Sequence, residues 1–280
     1  MLLEQGQLDA ALAKLAQVPA DPDSLYYQGL VWVRRAAAAP APTAPPAASP
    51  APRGAASPSP PEFKPEELQA LGLFEKAIAA RAAHPRAHLA IAELLAPHAI
   101  RRHQLEQEAR KRGGHHSARR ETAPPEEIDD SVERILGEYQ KAREGPAAKA
   151  AYESMIRFAV AVDRRDVAKA AHEELVESNK TDAQFRIQYG DFLATDKKDV
   201  EAAIDQYQTA LVWHPDDETT RGKIADLYLA MAEEHYAKRE YALAEARFRD
   251  AEKYITDKSS PRGVRLRDGQ GRLGQIRPQR

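Results

Sequence analysis

Over residues 182–217 apolar positions recur at helical spacing in two short runs. In the first, Phe185, Tyr189, Phe192 and Leu193 share one face, with small Gly190 among them. In the second, Val200, Ala203, Ile204, Tyr207, Ala210 and Leu211 make a single stripe. Pro215 stops the second run, because proline has no donor N–H and clashes with the preceding turn. Gly190 and Ala203 permit two antiparallel helices to approach closely, and Tyr207 fills the space beside them.

Stripe and break alternate through the rest of the chain. Leu8, Ala11, Leu12 and Leu15 make a stripe that ends before Pro19 and Asp21-Pro22. Leu25, Tyr26, Gly29, Leu30 and Val33 make the next, with Asp23 or Ser24 placed to cap it. Helical spacing returns over residues 66–84 (Leu68, Leu71, Phe74, Ala77, Ile78), and again from Ala87 to Leu95, ahead of Pro97. Residues 100–112 are highly charged and read as a fraying helix that runs into a linker at 113–125. Ile128, Val132, Ile135, Leu136, Tyr139 and Ala142 form a strong stripe stopped by Gly145-Pro146. Ala151, Met155, Phe158, Ala159 and Val162 pair with Val167, Ala170, Ala171 and Leu175 as a hairpin. The last hairpin joins a long helix over 218–237 to one carrying Tyr241, Ala244, Phe248, Ala251 and Tyr254. No Val/Ile/Thr-rich run alternates for more than a few residues, so the predicted class is all-α.

The order of small, aromatic and proline positions over 182–217 resembles the tetratricopeptide (TPR) repeat, whose period is about 34 residues. Ala170 and Ala203 are 33 residues apart, and Ala203 and Ala244 are 41 apart. The surplus of seven is close to two helical turns at about 3.6 residues each, which keeps the buried face in direction. It is placed in the long helix over 218–237. If Ala77 is the counterpart of Ala11, their separation exceeds the period by about 32. The Ala/Pro-rich stretch between them accounts for the excess and would interrupt one repeat between its two helices. That stretch has no large apolar side chain to bury and is predicted to be disordered or polyproline-II-like.

The resemblance covers residues 148–256 well, and 1–35 and 66–145 more weakly. It implies a TPR-like right-handed helical hairpin solenoid with a proline-rich disordered insertion. The expected organisation is a half-repeat and a first helix at 1–35, the insertion at 36–65 and divergent repeats with a basic linker at 66–145. TPR-like repeats at 146–256 and a basic tail at 257–280 complete it. The leading half-repeat reads as a cap or as the remainder of a longer chain, which leaves export open beside a cytoplasmic location. The tail reads as a short capping helix weakened by Gly263, Gly269, Gly271 and Gly274.

Charge changes the picture more than composition does. The net charge is -2, but residues 101–120 and 258–280 each carry seven Lys or Arg, which leaves the rest of the chain near -13. Cysteine is absent, which excludes disulfides and thiolate metal sites. No run of eighteen apolar residues exists, so no span is predicted.

Little in the sequence carries catalytic chemistry. Gly269-x-Gly271-x-x-Gly274 spells a dinucleotide fingerprint but follows no strand. His84 and His88, and His115 and His116, lack a carboxylate frame for a metal, and no hydroxyl has a nucleophile's setting. The chain therefore reads as non-catalytic, with no cofactor. The resemblance implies that first helices line a concave groove that holds a peptide or partner protein. Met155, Ala159, Ile187 and Asp191 do not match the Lys/Asn clamp with which some TPR proteins grip a terminal carboxylate. The predicted partner-binding residues are Ile187, Asp191 and Ala194 on one first helix and Asp226, Leu229, Glu233 and Tyr236 on the next. Their mixed apolar and acidic character suits a partner with apolar anchors among Lys or Arg. The alternative is nucleic-acid association through the two basic segments, although neither interleaves aromatic residues for base stacking.

Overall fold

In a computed structural model of the 280-residue chain, residues 7–19, 21–38, 63–111 and 131–276 are described. The insertion read over 36–65 lies outside them except at its ends, as does the whole linker read at 113–125. Among the described residues every regular element is helical: α1 (Leu8–Leu15), α2 (Pro22–Ala38), α3 (Pro65–Ala80), α4 (Pro85–Lys111), α5 (Val132–Ala142) and α6 (Ala148–Ala161). Then follow α7 (Arg165–Ser178), α8 (Ala183–Leu193), α9 (Val200–Trp213), α10 (Glu218–Ala237), α11 (Tyr241–Glu252) and α12 (Pro261–Ile276). The chain divides into two compact units, Met1–Ala171 and His172–Arg280.

Four prolines start helices. Asp21 accepts the Ser24 N–H at 2.7 Å with Pro22 in the first turn, so Asp21 is the cap, and Asp23 instead holds Arg81 at 2.9 Å. The Lys64 N–H donates to Glu67 ahead of Pro65, the His84 imidazole accepts the Ala87 N–H ahead of Pro85, and Ser260 accepts the Gly263 N–H ahead of Pro261. Proline fits this position because its missing N–H would be unpaired there in any case. Pro97 is different. The sequence pattern ends a helix before it, yet α4 runs through it. Pro97 lies on the exposed side while Leu94, Leu95, Ala96 and Ala99 are buried on the other, so packing outweighs the lost hydrogen bond.

One register organises the second helix of each pair. A buried residue is followed four positions later by a buried ring and three later by another small or aliphatic residue. The sets are Ala70–Phe74–Ala77, Ile135–Tyr139–Ala142, Ala168–His172–Leu175, Ala203–Tyr207–Ala210 and Ala244–Phe248–Ala251. Two expected positions move as a result. Ala77, matched above with Ala11, falls at the place of Ala210, while Ala70 holds in α3 the place of Ala203 in α9; Ala168 takes the place given to Ala170, which is exposed.

Within the first unit α2 pairs with α3 and α4 with α5, while α2 also touches α4, and α4 touches α6. The α2–α3 pairing makes these two helices the two arms of one hairpin, with the Ala/Pro-rich stretch of the sequence lying between them in the chain. Gly29 lies under Phe74, where an added Cβ would come within 2.4 Å of the ring. Within the second unit α8 pairs with α9 and α10 with α11, and α12 lies against both α11 and α10. Gly190 sits under Tyr207 as Gly29 does under Phe74, and an added Cβ would come within 2.6 Å of that ring. α10 has the predicted bounds and is 20 residues long against 11 for α8. α12 forms over 16 residues despite its glycines, because Gly269 lets its backbone rest on Phe248.

Two glycine substitutions should therefore have opposite signs. Gly190→Ala drives a methyl into a buried ring whose hydroxyl is anchored to Asp191, and should cost about 1–3 kcal/mol. Gly271→Ala has open space around it and should stabilise by up to about 1 kcal/mol through helix propensity. Urea denaturation midpoints check both.

Candidate partner-binding surface

The first helices α8 and α10 of the second unit carry the predicted site residues. On α8, Ile187 is half-buried and Asp191 is exposed, and Ala194, the residue that follows the helix, is half-buried. Asp191 accepts the Tyr207 hydroxyl at 2.7 Å and takes Lys223 Nζ from α10 at 2.5 and 2.7 Å. Burial, followed by that bond to Asp191, pushes the Tyr207 phenol up. Asp191 is thus a strut between hairpins as well as a surface charge.

On α10 the expectation needs correction. Leu229 is fully buried, in one stripe with Ala225 and Ala232, so it belongs to the core and not to the surface. The sequence misdirects here because Ile224, Leu227, Tyr228, Leu229 and Met231 place apolar side chains around most of the helix. Asp226 and Glu233 do reach the surface, but α12 occupies them. Arg262 bonds Asp226 at 2.9 and 2.6 Å, and Arg265 bonds Glu233 twice at 2.6 Å. The Arg265 bond holds the Glu233 carboxyl below its usual range. Tyr236 packs on the same core, with the Arg272 guanidinium 5.5 Å from its ring centre. Met155, Ala159 and Val162 in the first unit are buried as well.

α12 is held by few contacts: Leu266 in the core, Leu273 partly buried against it, and the two arginine forks. Leu266 is its one large buried side chain, 4% exposed, which contributes about 1.5–3 kcal/mol. The two bidentate pairs are partly exposed and contribute about 0.2–1 kcal/mol each. Against these, four glycines together cost about 3–4 kcal/mol of helix propensity relative to alanine.

The start of α8 and the end of α9 bound an open groove of about 590 Å³, walled by Ile187, Trp213 and Pro215 with Asp182 and Asp216 at its rim. Trp213 is 50% exposed and Val212 beside it is more exposed still. Neither Lys nor Arg lines the groove among the described residues.

His84 and His88 are occupied structurally. His88 Nδ1 lies 2.6 Å from Glu138 in a buried pair between α4 and α5. Burial alone would raise Glu138, but hydrogen bonds from His88 and Lys141 outweigh it and hold the carboxyl low. His84 caps α4, and its Nε2 lies 3.3 Å from Asp23, off the line of a good hydrogen bond. No group of three or more His, Asp or Glu is arranged to hold a metal among the described residues, and no helix there is long and apolar enough to cross a membrane. His115 and His116 lie outside the described residues. Gly269, Gly271 and Gly274 lie inside α12, where they form no phosphate loop. Of the basic segment at 101–120, residues 101–111 continue α4.

No family model matches the chain, and neither does any curated protein. Among solved structures it is similar to a tetratricopeptide repeat protein from Parabacteroides merdae ATCC 43184, at 12% identity over 96% of this chain and 94% of that one, with a TM-score of 0.42. It is also similar to pilF of Pseudomonas aeruginosa, at 16% identity over 91% and 89% with a TM-score of 0.38. A third is YrrB, a TPR protein with an unusual peptide-binding site, at 14% identity over 74% and 84% with a TM-score of 0.37. At such identities no residue role passes to this chain, and its own small–aromatic–small register carries the assignment. Its hairpins are TPR-like.

One TPR-like position departs from the others. His172 fills the slot that holds a phenyl or phenol ring in the other second helices, stacked on Tyr189 at 5.3 Å between centroids and close to Phe192. It is 5% exposed, its Nδ1 has no hydrogen-bond partner among the described residues, and burial pushes the imidazole down to about 4. Between its usual value near 6.5 and about 4 the unfolded chain binds a proton here that the folded chain does not. Stability from this site is complete above that window and falls as pH drops through it. His172→Phe should therefore gain on the wild type as pH falls from 7 to 5, read as a widening gap in urea midpoints. A gap independent of pH would show that the imidazole is not its source.

Proposed function

We propose that the chain is a non-catalytic protein-interaction scaffold that holds a peptide or partner protein on the first-helix face of its second unit, centred on Ile187, Asp191 and Ala194. The observation that supports this is how the hairpins divide their side chains. The second helices commit their rings and small residues to the interior, while α8 keeps a mixed apolar and acidic strip accessible beside the open groove at Ile187 and Trp213. Such a strip favours a segment with apolar anchors and Lys or Arg, since opposite charge speeds encounter and excludes acidic competitors. The nucleic-acid reading loses support, because Arg262 and Arg265 of the basic tail are already paired within the protein.

Ala194→Arg should cut capture of native partners at least tenfold, measured by quantitative co-purification, with the melting temperature nearly unchanged. Capture that survives intact would remove this surface. Asp191→Lys combined with Glu233→Lys is a poorer probe. It opposes Lys223 and Arg265 with like charge, and should lower the melting temperature as well as capture.

A further inference from the structure

The α10 residues expected to meet a basic, apolar partner are met in this structure by a segment of the chain itself. α12 presents Arg262 and Arg265 one turn apart, followed by Leu266, and these engage Asp226, Glu233 and the core around Leu229 and Phe248. α10 and α11 pack on each other, with Ala225, Leu229, Ala232, Ala244, Phe248 and Ala251 all buried. α12 contributes only Gly263, Leu266 and Gly269 to the buried set, and its remaining surface is largely open. Gly271 and Gly274 have no neighbour that a side chain would meet, so nothing in the packing requires glycine at those two places. Their effect is to keep the helix weak in isolation. A weak helix on charged, geometrically specific contacts is suited to exchange.

We infer that the α10–α11 face is a binding site for an amphipathic helix of the form Arg-x-x-Arg-Leu, that α12 is its resident occupant, and that a partner protein's helix of the same chemistry replaces it. Charge complementarity selects this occupant. Each guanidinium meets one carboxylate in a two-bond fork, a geometry a lysine cannot reproduce. The apolar contacts are Leu266, buried beside a glycine that admits the helix backbone to Phe248, and Leu273, partly buried against the same core. A partner helix that carries a better helix former at the positions of Gly271 and Gly274 gains over α12 without any new contact. The inference rests on the scaffold reading above but uses different residues from those on α8.

The probe is a fluorescein-labelled synthetic peptide spanning residues 258–276, titrated into the full chain and followed by anisotropy. Chains with Leu266→Asp, which loosens α12, should bind it at least tenfold more tightly than wild type. Chains with Gly271→Ala and Gly274→Ala, which tighten α12, should bind it more weakly than wild type. A control peptide with Arg262→Glu and Arg265→Glu should bind at least tenfold less well. A control peptide that binds equally, a reversed order among the chains, or no binding to the Leu266→Asp chain would each overturn the inference. Hydrogen exchange on the wild-type chain gives a reading that no variant can spoil. α12 amides should exchange at least tenfold faster than those of α10 and α11, and equal rates would overturn exchangeability. Loss of partner capture in Ala194→Arg without peptide exchange would leave the scaffold reading standing and remove this one alone.

Discussion

The contact on which the closest helix pairs depend is a ring laid over a residue with no side chain. Phe74 covers Gly29, Tyr207 covers Gly190 and Phe248 covers Gly269. In each case a Cβ would enter the ring's own volume, so the helices approach as closely as backbone permits and dispersion between backbone and ring replaces side-chain interdigitation. That closeness fixes which face of each helix is inside. It leaves few large residues to be buried elsewhere, in keeping with a chain that is rich in Ala and only 6% aromatic.

The same contact explains how much could be read in advance. Gly190, Ala203 and Tyr207 carry their pairing in plain view, and the bounds of α10 follow from its flanking breaks. The register of α7 does not show, because Ala168, Ala170 and Ala171 are indistinguishable by type and the ring that would decide among them is a histidine, a residue that reads as polar. Proline misleads in a different way. At Asp21-Pro22 and His84-Pro85 it opens the next helix, and at Pro97 it is overridden by burial of Leu95 and Ala99.

The candidate site was legible in type more than in placement. Acidic residues on α10 and arginines in the tail were both visible, but their pairing depends on α12 folding back, which four glycines argue against until Gly269 is seen on Phe248. Leu229 went to the interior because α10 is apolar on more than one side. Asp191 was placed on the surface and is there, but with two structural bonds that no sequence pattern announces.

The connections between paired helices differ sharply in length, which bears on the order in which the units form. Within each unit the substantial contacts run only to the next helix or the one beyond, a local topology that favours rapid folding. In the second unit α8 and α9 are joined through six residues, 194–199, and α10 and α11 through three, 238–240. In the first unit α2 and α3 are separated by 26 residues, 39–64, and α4 and α5 by 20, 112–131. Loop-closure entropy grows with the logarithm of length, so a roughly fourfold longer connection adds about 1.2 kcal/mol to bringing its helices together. Two such closures in succession slow the first unit while the second closes hairpins over short spans. The pairings of the second unit, which span the shorter connections, are thus the quicker to form.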